Sequence, residues 1–176
     1  MKLLFFALLF SLLGNDPSPN GISYRHLSWE DFRGQVSQNE PSVAARSMTQ
    51  LSMEITETDG KANYRVIAYF LPDSSFVRVR SYQTLRHEQM HFLIAYIASI
   101  RCMRDLLPYQ GKAGAMEKAS AIYNAWFDAA SARQDIFDKQ TNHSNNLVEE
   151  KRWEALLSRE FHTLETFPSK SHGRNR

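Results

Sequence analysis

The chain is 176 residues long and 43% hydrophobic, with 21 Lys and Arg against 19 Asp and Glu, a formal net charge of +2. That length and apolar content suit one domain with a real core, and the near balance of charge gives no invitation to nucleic acid. The single cysteine, Cys102, excludes an internal disulfide framework.

Residues 1–14 place Lys2 ahead of an apolar run, interrupted only by Ser11, that ends at Leu13. Such a run is too short to span a bilayer comfortably and reads as a signal peptide for secretion or delivery to a periplasm. Membrane association follows only if the segment stays uncleaved. Without it, 20 basic residues face 19 acidic ones, and no nucleic-acid partner is expected. Residues 15–24, with Pro17, Pro19 and Gly21, read as a linker. A single domain is expected over residues 25–167, followed by a flexible basic tail, 168–176.

Trp29 and Phe32, three apart, suggest a short turn whose rings cover the core. From Val43 to Thr56, apolar odd positions such as Leu51, Met53 and Ile55 alternate with mostly polar even ones, the pattern of a strand with one wet face. Asp59-Gly60 is a hairpin-turn signal, and Tyr64 to Leu71 forms the returning strand. Residues 76–80 are either a third short strand or the approach to a helix. Three long helices follow: one from Ser81 or Tyr82 to Leu107, stopped by Pro108; one over 115–139; and one capped by Asn146 with Glu149 at the capping-box position. The fold class is α+β, an antiparallel hairpin or small sheet packed on three long helices.

The first helix carries His87-Glu88-Gln89-Met90-His91, an HExxH pentad, followed by nine residues without a charge. Four positions return a helix almost to the same bearing, so both imidazoles project from one face, where Zn²⁺ can bridge them. Glu88 lies about a quarter turn round, poorly placed to chelate and well placed to hold a water as general base. The apolar flank argues that the pentad is buried, where two histidines and a glutamate without partners would be costly.

A catalytic zinc takes three protein ligands and a water. A third His six residues after the second is excluded, because position 97 is Ile. Glu117, Glu149 and Glu150 are eligible on later helices, and His143 competes from a polar break between two helices. Asp138 and Thr141, close to His143 in sequence, could orient an imidazole from behind.

Taken together, Trp29-x-Asp31-Phe32-x-Gly34, Ser75-Phe76-Val77, Leu85-x-His87-Glu88-Gln89-x-His91-Phe92, Asp138-x-x-Thr141-x-His143 and Trp153 resemble a bacterial family catalogued as a domain of unknown function. Its members are described as secreted zinc-dependent proteases. Two positions depart from its pattern, Phe76 in place of Trp and Ser144 in place of Gly. The resemblance implies a zincin-like fold and a metallopeptidase acting on a peptide or protein substrate, with Glu88 as general base. It favours His87, His91 and His143 as Zn²⁺ ligands over the acids, with Asp138 and Thr141 behind them. Two other classes stay open: an exported binding protein whose zinc is purely structural, closed by Glu88 or Asp138 in place of water, and a membrane-tethered interaction module.

Overall fold

The computed structural model describes residues 21–165; the expected signal peptide, the linker up to residue 20 and the basic tail lie outside them. The chain is α+β. Its largest sheet grows from the hairpin of β3 (Thr49–Thr58) and β4 (Lys61–Phe70), paired in register from Thr49↔Phe70 to Thr58↔Lys61. Asp59 and Gly60 close it with φ of 52° and 70°, the double positive φ that a two-residue turn of this hand requires. A short β1 (Ile22–Ser23) pairs with the far side of β4, giving the order β1-β4-β3 and leaving β3 at an edge. Tyr64, Val66, Ala68 and Phe70 alternate along β4 and are all buried, so one face of the hairpin is core.

The strand expected over 43–56 is interrupted, for a reason that bears on the site. β2 (Ala45–Arg46) pairs with β5 (Phe76–Val77), which makes a two-stranded sheet of its own. Between β2 and β3, Ser47 gives its backbone N–H to Glu88 Oε2 at 2.6 Å and Met48 gives its N–H to Ser75 Oγ at 2.9 Å. Two donors that alternation assigns to a ladder are spent on buried side chains. The chain therefore changes sheets.

Three helices follow: α1 (Tyr82–Leu106), α2 (Met116–Thr141) and α3 (Leu147–Glu165), within about two residues of the expected bounds. Ser81 caps α1 by accepting the Thr84 N–H at 3.0 Å, and Asn146 caps α3 through the Glu149 N–H at 3.4 Å. α1 is apolar all round beyond His91 because it serves two cores. Phe92, Ala95 and Cys102 pack with Phe70 of β4, while Ile94 and Ile97 pack with Phe137 of α2 and Leu157 of α3. Among the described residues no helix is long and apolar enough to cross a membrane.

The pentad's middle residue fastens the segment ahead of the sheet to α1. The Gln89 side chain accepts the Leu27 N–H at 2.6 Å and donates to the Arg25 carbonyl at 3.2 Å. Gly34 completes that docking, because a Cβ there would lie 2.8 Å from the Ser75 carbonyl oxygen.

Candidate metal centre

His87 and His91 stand one turn apart on α1, and both are buried. Their Nε2 atoms are 3.2 Å apart, and Asp138 Oδ1, from the end of α2, lies 3.0 Å from each. The three atoms form a nearly equilateral triangle. Zinc–ligand bonds of about 2.0–2.1 Å imply a tetrahedral edge of about 3.3–3.4 Å, so the triangle is a slightly contracted tetrahedral face.

The other ring nitrogens fix what those three atoms can be. His87 Nδ1 sits 2.6 Å from Glu150 Oε1, and His91 Nδ1 sits 3.1 Å from Gln134 Oε1. A carboxylate and an amide oxygen only accept, so each Nδ1 carries the proton and each neutral ring presents a lone pair at Nε2. Two lone pairs and a carboxylate oxygen then converge with no proton among them. Such a grouping is stable only when a positive charge joins it, as a metal cation or as a proton on one ring.

Burial pulls the His87 imidazole down, yet its bonds to Asp138 and Glu150 and the nearby Glu88 charge win, leaving it raised to about 9. Burial likewise pushes the Asp138 carboxyl up, and its contacts with the two imidazoles overcome it and hold it well below the usual carboxylate range. Both shifts express one fact: three carboxylates, Glu88, Asp138 and Glu150, surround two imidazoles.

Glu88 is 3% exposed and borders the same cleft, a quarter turn from the histidines. Its Oε2 takes the Ser47 N–H, and the Ser47 hydroxyl donates to the Glu88 carbonyl at 3.3 Å. The interrupted strand is thus the device that orients this carboxylate.

Not every expected site residue joins the group. His143 remains outside the triangle: its side chain is 72% exposed and its Nδ1 is 3.6 Å from Asp138 Oδ1. The cause is the backbone, since Asn142, His143 and Ser144 have φ of 48°, 49° and 70°, a left-handed run that turns the imidazole to the rim. Asp138, expected behind a ligand, supplies the third converging atom itself. Thr141, expected to orient an imidazole, is fully buried and donates its hydroxyl back to the Phe137 and Asp138 carbonyls, closing the last turn of α2.

Glu150 is the partner that sequence reasoning undervalued. Its place in the first turn of α3 explains an acid there without any further role, and only the packing of α3 on α1 shows its carboxylate beneath His87. Gln134 was missed altogether. The one signal for it is spacing, as Gln134 and Asp138 lie four apart on α2, facing two histidines four apart on α1.

The triangle opens into a cleft of about 900 Å³ between the interrupted strand, the start of α1 and the α2–α3 turn. Beyond His91 it is bordered by Leu51, Ala95, Phe127 and Ala130; beyond His87 by Thr84, Gln83 and Asn145. Comparison with family models, with curated proteins and with solved structures yields no match, so the reading of the site rests on its own chemistry.

Proposed function

We propose that the protein is an exported, zincin-like metallopeptidase in which His87, His91 and Asp138 hold Zn²⁺ and Glu88 is the general base. The observation that carries this is the convergence of two Nε2 atoms and a carboxylate oxygen, 3.0–3.2 Å apart, with both Nδ1 atoms turned to acceptors on the other side of each ring. Two imidazoles and one carboxylate suit zinc, and the Glu150–His87 contact is the carboxylate–histidine pairing that metal sites use to raise ligand basicity. Zinc, when bound, supplies a Lewis acid and lowers the pKa of a coordinated water.

The chain's own residues supply the rest. Glu88, with Oε2 held by Ser47, takes the water's proton as the water oxygen bonds to the peptide carbonyl carbon, and it delivers that proton to the leaving nitrogen as the C–N bond breaks. The edge strand β3 borders the cleft and can receive an extended peptide by strand addition. The Tyr123 hydroxyl already donates to the Leu51 carbonyl at 2.6 Å, which limits such pairing to the stretch before Leu51.

Glu88→Gln tests the reading. The variant should keep the zinc affinity of the parent and lose peptide hydrolysis by about 100-fold or more. Zinc lost together with activity would make Glu88 a ligand and the site structural.

A second reading is favoured by the ion pairs themselves. A doubly protonated His87 between Asp138 and Glu150 closes the cluster with no metal, and the raised His87 pKa is its expression. Equilibrium dialysis against zinc separates the two, since a proton-closed cluster takes up none at neutral pH.

A further inference from the structure

In the hydrolysis proposed above, a protein donor to the oxygen of the attacked carbonyl would add to the Lewis acid that zinc supplies when bound, and the triangle with Glu88 provides none. Peptide hydrolysis moves the carbonyl π pair onto that oxygen as the new C–O bond forms, and returns it as the C–N bond breaks. A donor fixed beside the site stabilises the charge while it lasts.

His143 has the position for this. It borders the cleft, and its Nδ1 is 3.6 Å from Asp138 Oδ1, which is one vertex of the triangle. The imidazole therefore lies at the rim of the cleft next to the carboxylate that forms one vertex. At 3.6 Å it makes no hydrogen bond to Asp138 and keeps its ring N–H for another acceptor.

Several other nitrogen donors near the cleft are already engaged, though Asn142 also borders it. Gln83 donates to the Ser144 carbonyl, Gln134 faces His91 and Thr49, Arg46 pairs with Glu40, and Asn145 bonds within its own turn. The backbone is also held. The His143 N–H donates to the Asp138 carbonyl at 3.0 Å, and the Asn146 N–H to the Thr141 carbonyl at 2.7 Å, so the left-handed run is pinned at both sides. Three successive non-glycine residues at positive φ are costly, and such strain persists where surrounding structure fixes it.

We propose that His143 is a catalytic residue that donates an N–H to the developing oxyanion and is not a metal ligand. The proposal rests on the metallopeptidase reading above. No net proton passes through His143: Glu88 carries the water proton to the leaving nitrogen, and the imidazole donates only a hydrogen bond.

The test compares the full-length parent with His143→Ala and His143→Gln, using zinc competition against a fluorescent chelator and steady-state hydrolysis of denatured, labelled casein. His143→Ala should bind zinc within threefold of the parent, hold KM within threefold and lose about 100-fold in kcat. His143→Gln, which restores an N–H donor, should recover about tenfold of that loss. If His143→Ala loses zinc, the residue is a ligand and the proposal is overturned while the metallopeptidase reading stands. Undiminished kcat with full zinc overturns it equally. A parent that takes up no zinc, or takes up zinc and leaves casein intact, removes the underlying reading and this proposal with it.

Discussion

Two clusters of charge fasten the same three helices to one another, and they are built on opposite principles. Near the far end of α1, Arg101 and Arg133 clamp Glu160 of α3, with contacts of 2.8 Å from Arg101 and of 3.0 and 2.6 Å from Arg133. Arg133 also lies over the Trp153 ring and Arg101 over the Trp126 ring. Guanidinium groups never give up their charge, and the fork of Arg133 matches a carboxylate, so this clamp is complete as it stands. At the near end, α1 gives His87 and His91, α2 gives Asp138 and α3 gives Glu150. There acceptors outnumber fixed protons. One cluster satisfies itself, and the other is completed by an added positive charge, a proton or a metal cation.

The strongest way to break the comparison is to supply and remove that charge. Zinc at about 1,000 times its dissociation constant should stabilise the fold by about 4 kcal/mol, which for a domain of this size is roughly 10 °C in Tm. EDTA should reverse the shift, and His87→Ala or Asp138→Ala should abolish it. Calorimetry with and without metal makes the measurement. A Tm indifferent to zinc and EDTA would put the two clusters in one class, both of them ionic clamps.

Next in size is damage to the far clamp. Glu160→Ala leaves two arginines facing each other without their carboxylate and should cost about 2–3 kcal/mol, less than a fully buried pair because Arg101 is 42% exposed. Its zinc-induced shift in Tm should equal the parent's. Denaturant unfolding with and without zinc checks both halves, and a lost zinc response would mean the two clusters are mechanically coupled through α1.

Much of this contrast was legible in the sequence, and the part that was not has a physical cause. Period and punctuation located β3, β4 and all three helices, because Asp59-Gly60, Ser81, Pro108 and Asn146 act through local backbone chemistry that needs no tertiary context. The pentad likewise carried its own geometry, since i and i+4 share a helix face wherever the helix lies. Distance defeated the rest. Asp138, Gln134 and Glu150 reach the histidines only because α2 and α3 cross α1 at one particular register, and no local rule carries that register. The break at Ser47 was hidden for the same reason, as alternation across 43–56 is intact and the interruption comes from Glu88, 41 residues away. His143 shows the reverse case: a residue of the right type in a suitable polar break, turned to the rim by its own left-handed backbone.

Glu150→Gln sharpens the comparison at the near cluster. The amide can still accept the His87 Nδ1–H, so the fold and the ring orientation should persist. What it loses is the negative charge that makes Nε2 a better donor to a metal. Zinc affinity should fall 10- to 100-fold, the range for losing such a supporting carboxylate. An unchanged affinity in a chelator titration would reduce Glu150 to a helix-terminal acid.

The smallest expected effect belongs to its neighbour and is the control for that claim. Glu149 and Glu150 occupy the same first turn of α3, and both compensate the helix dipole. Glu149, however, points away from His87: its carboxylate is 26% exposed and pairs with Arg152 at 3.6 Å, a contact too long and too wet to matter much. Its backbone N–H serves the Asn146 cap, and that bond survives replacement of the side chain. Glu149→Ala should therefore cost only about 0.5 kcal/mol, from the lost dipole compensation, and should leave zinc affinity and hydrolysis at the parent's level. Paired chelator titrations of the two variants make the comparison at constant helix position. Were Glu149→Ala to weaken zinc as much as Glu150→Gln, the effect would belong to fraying of α3 and not to the contact beneath His87.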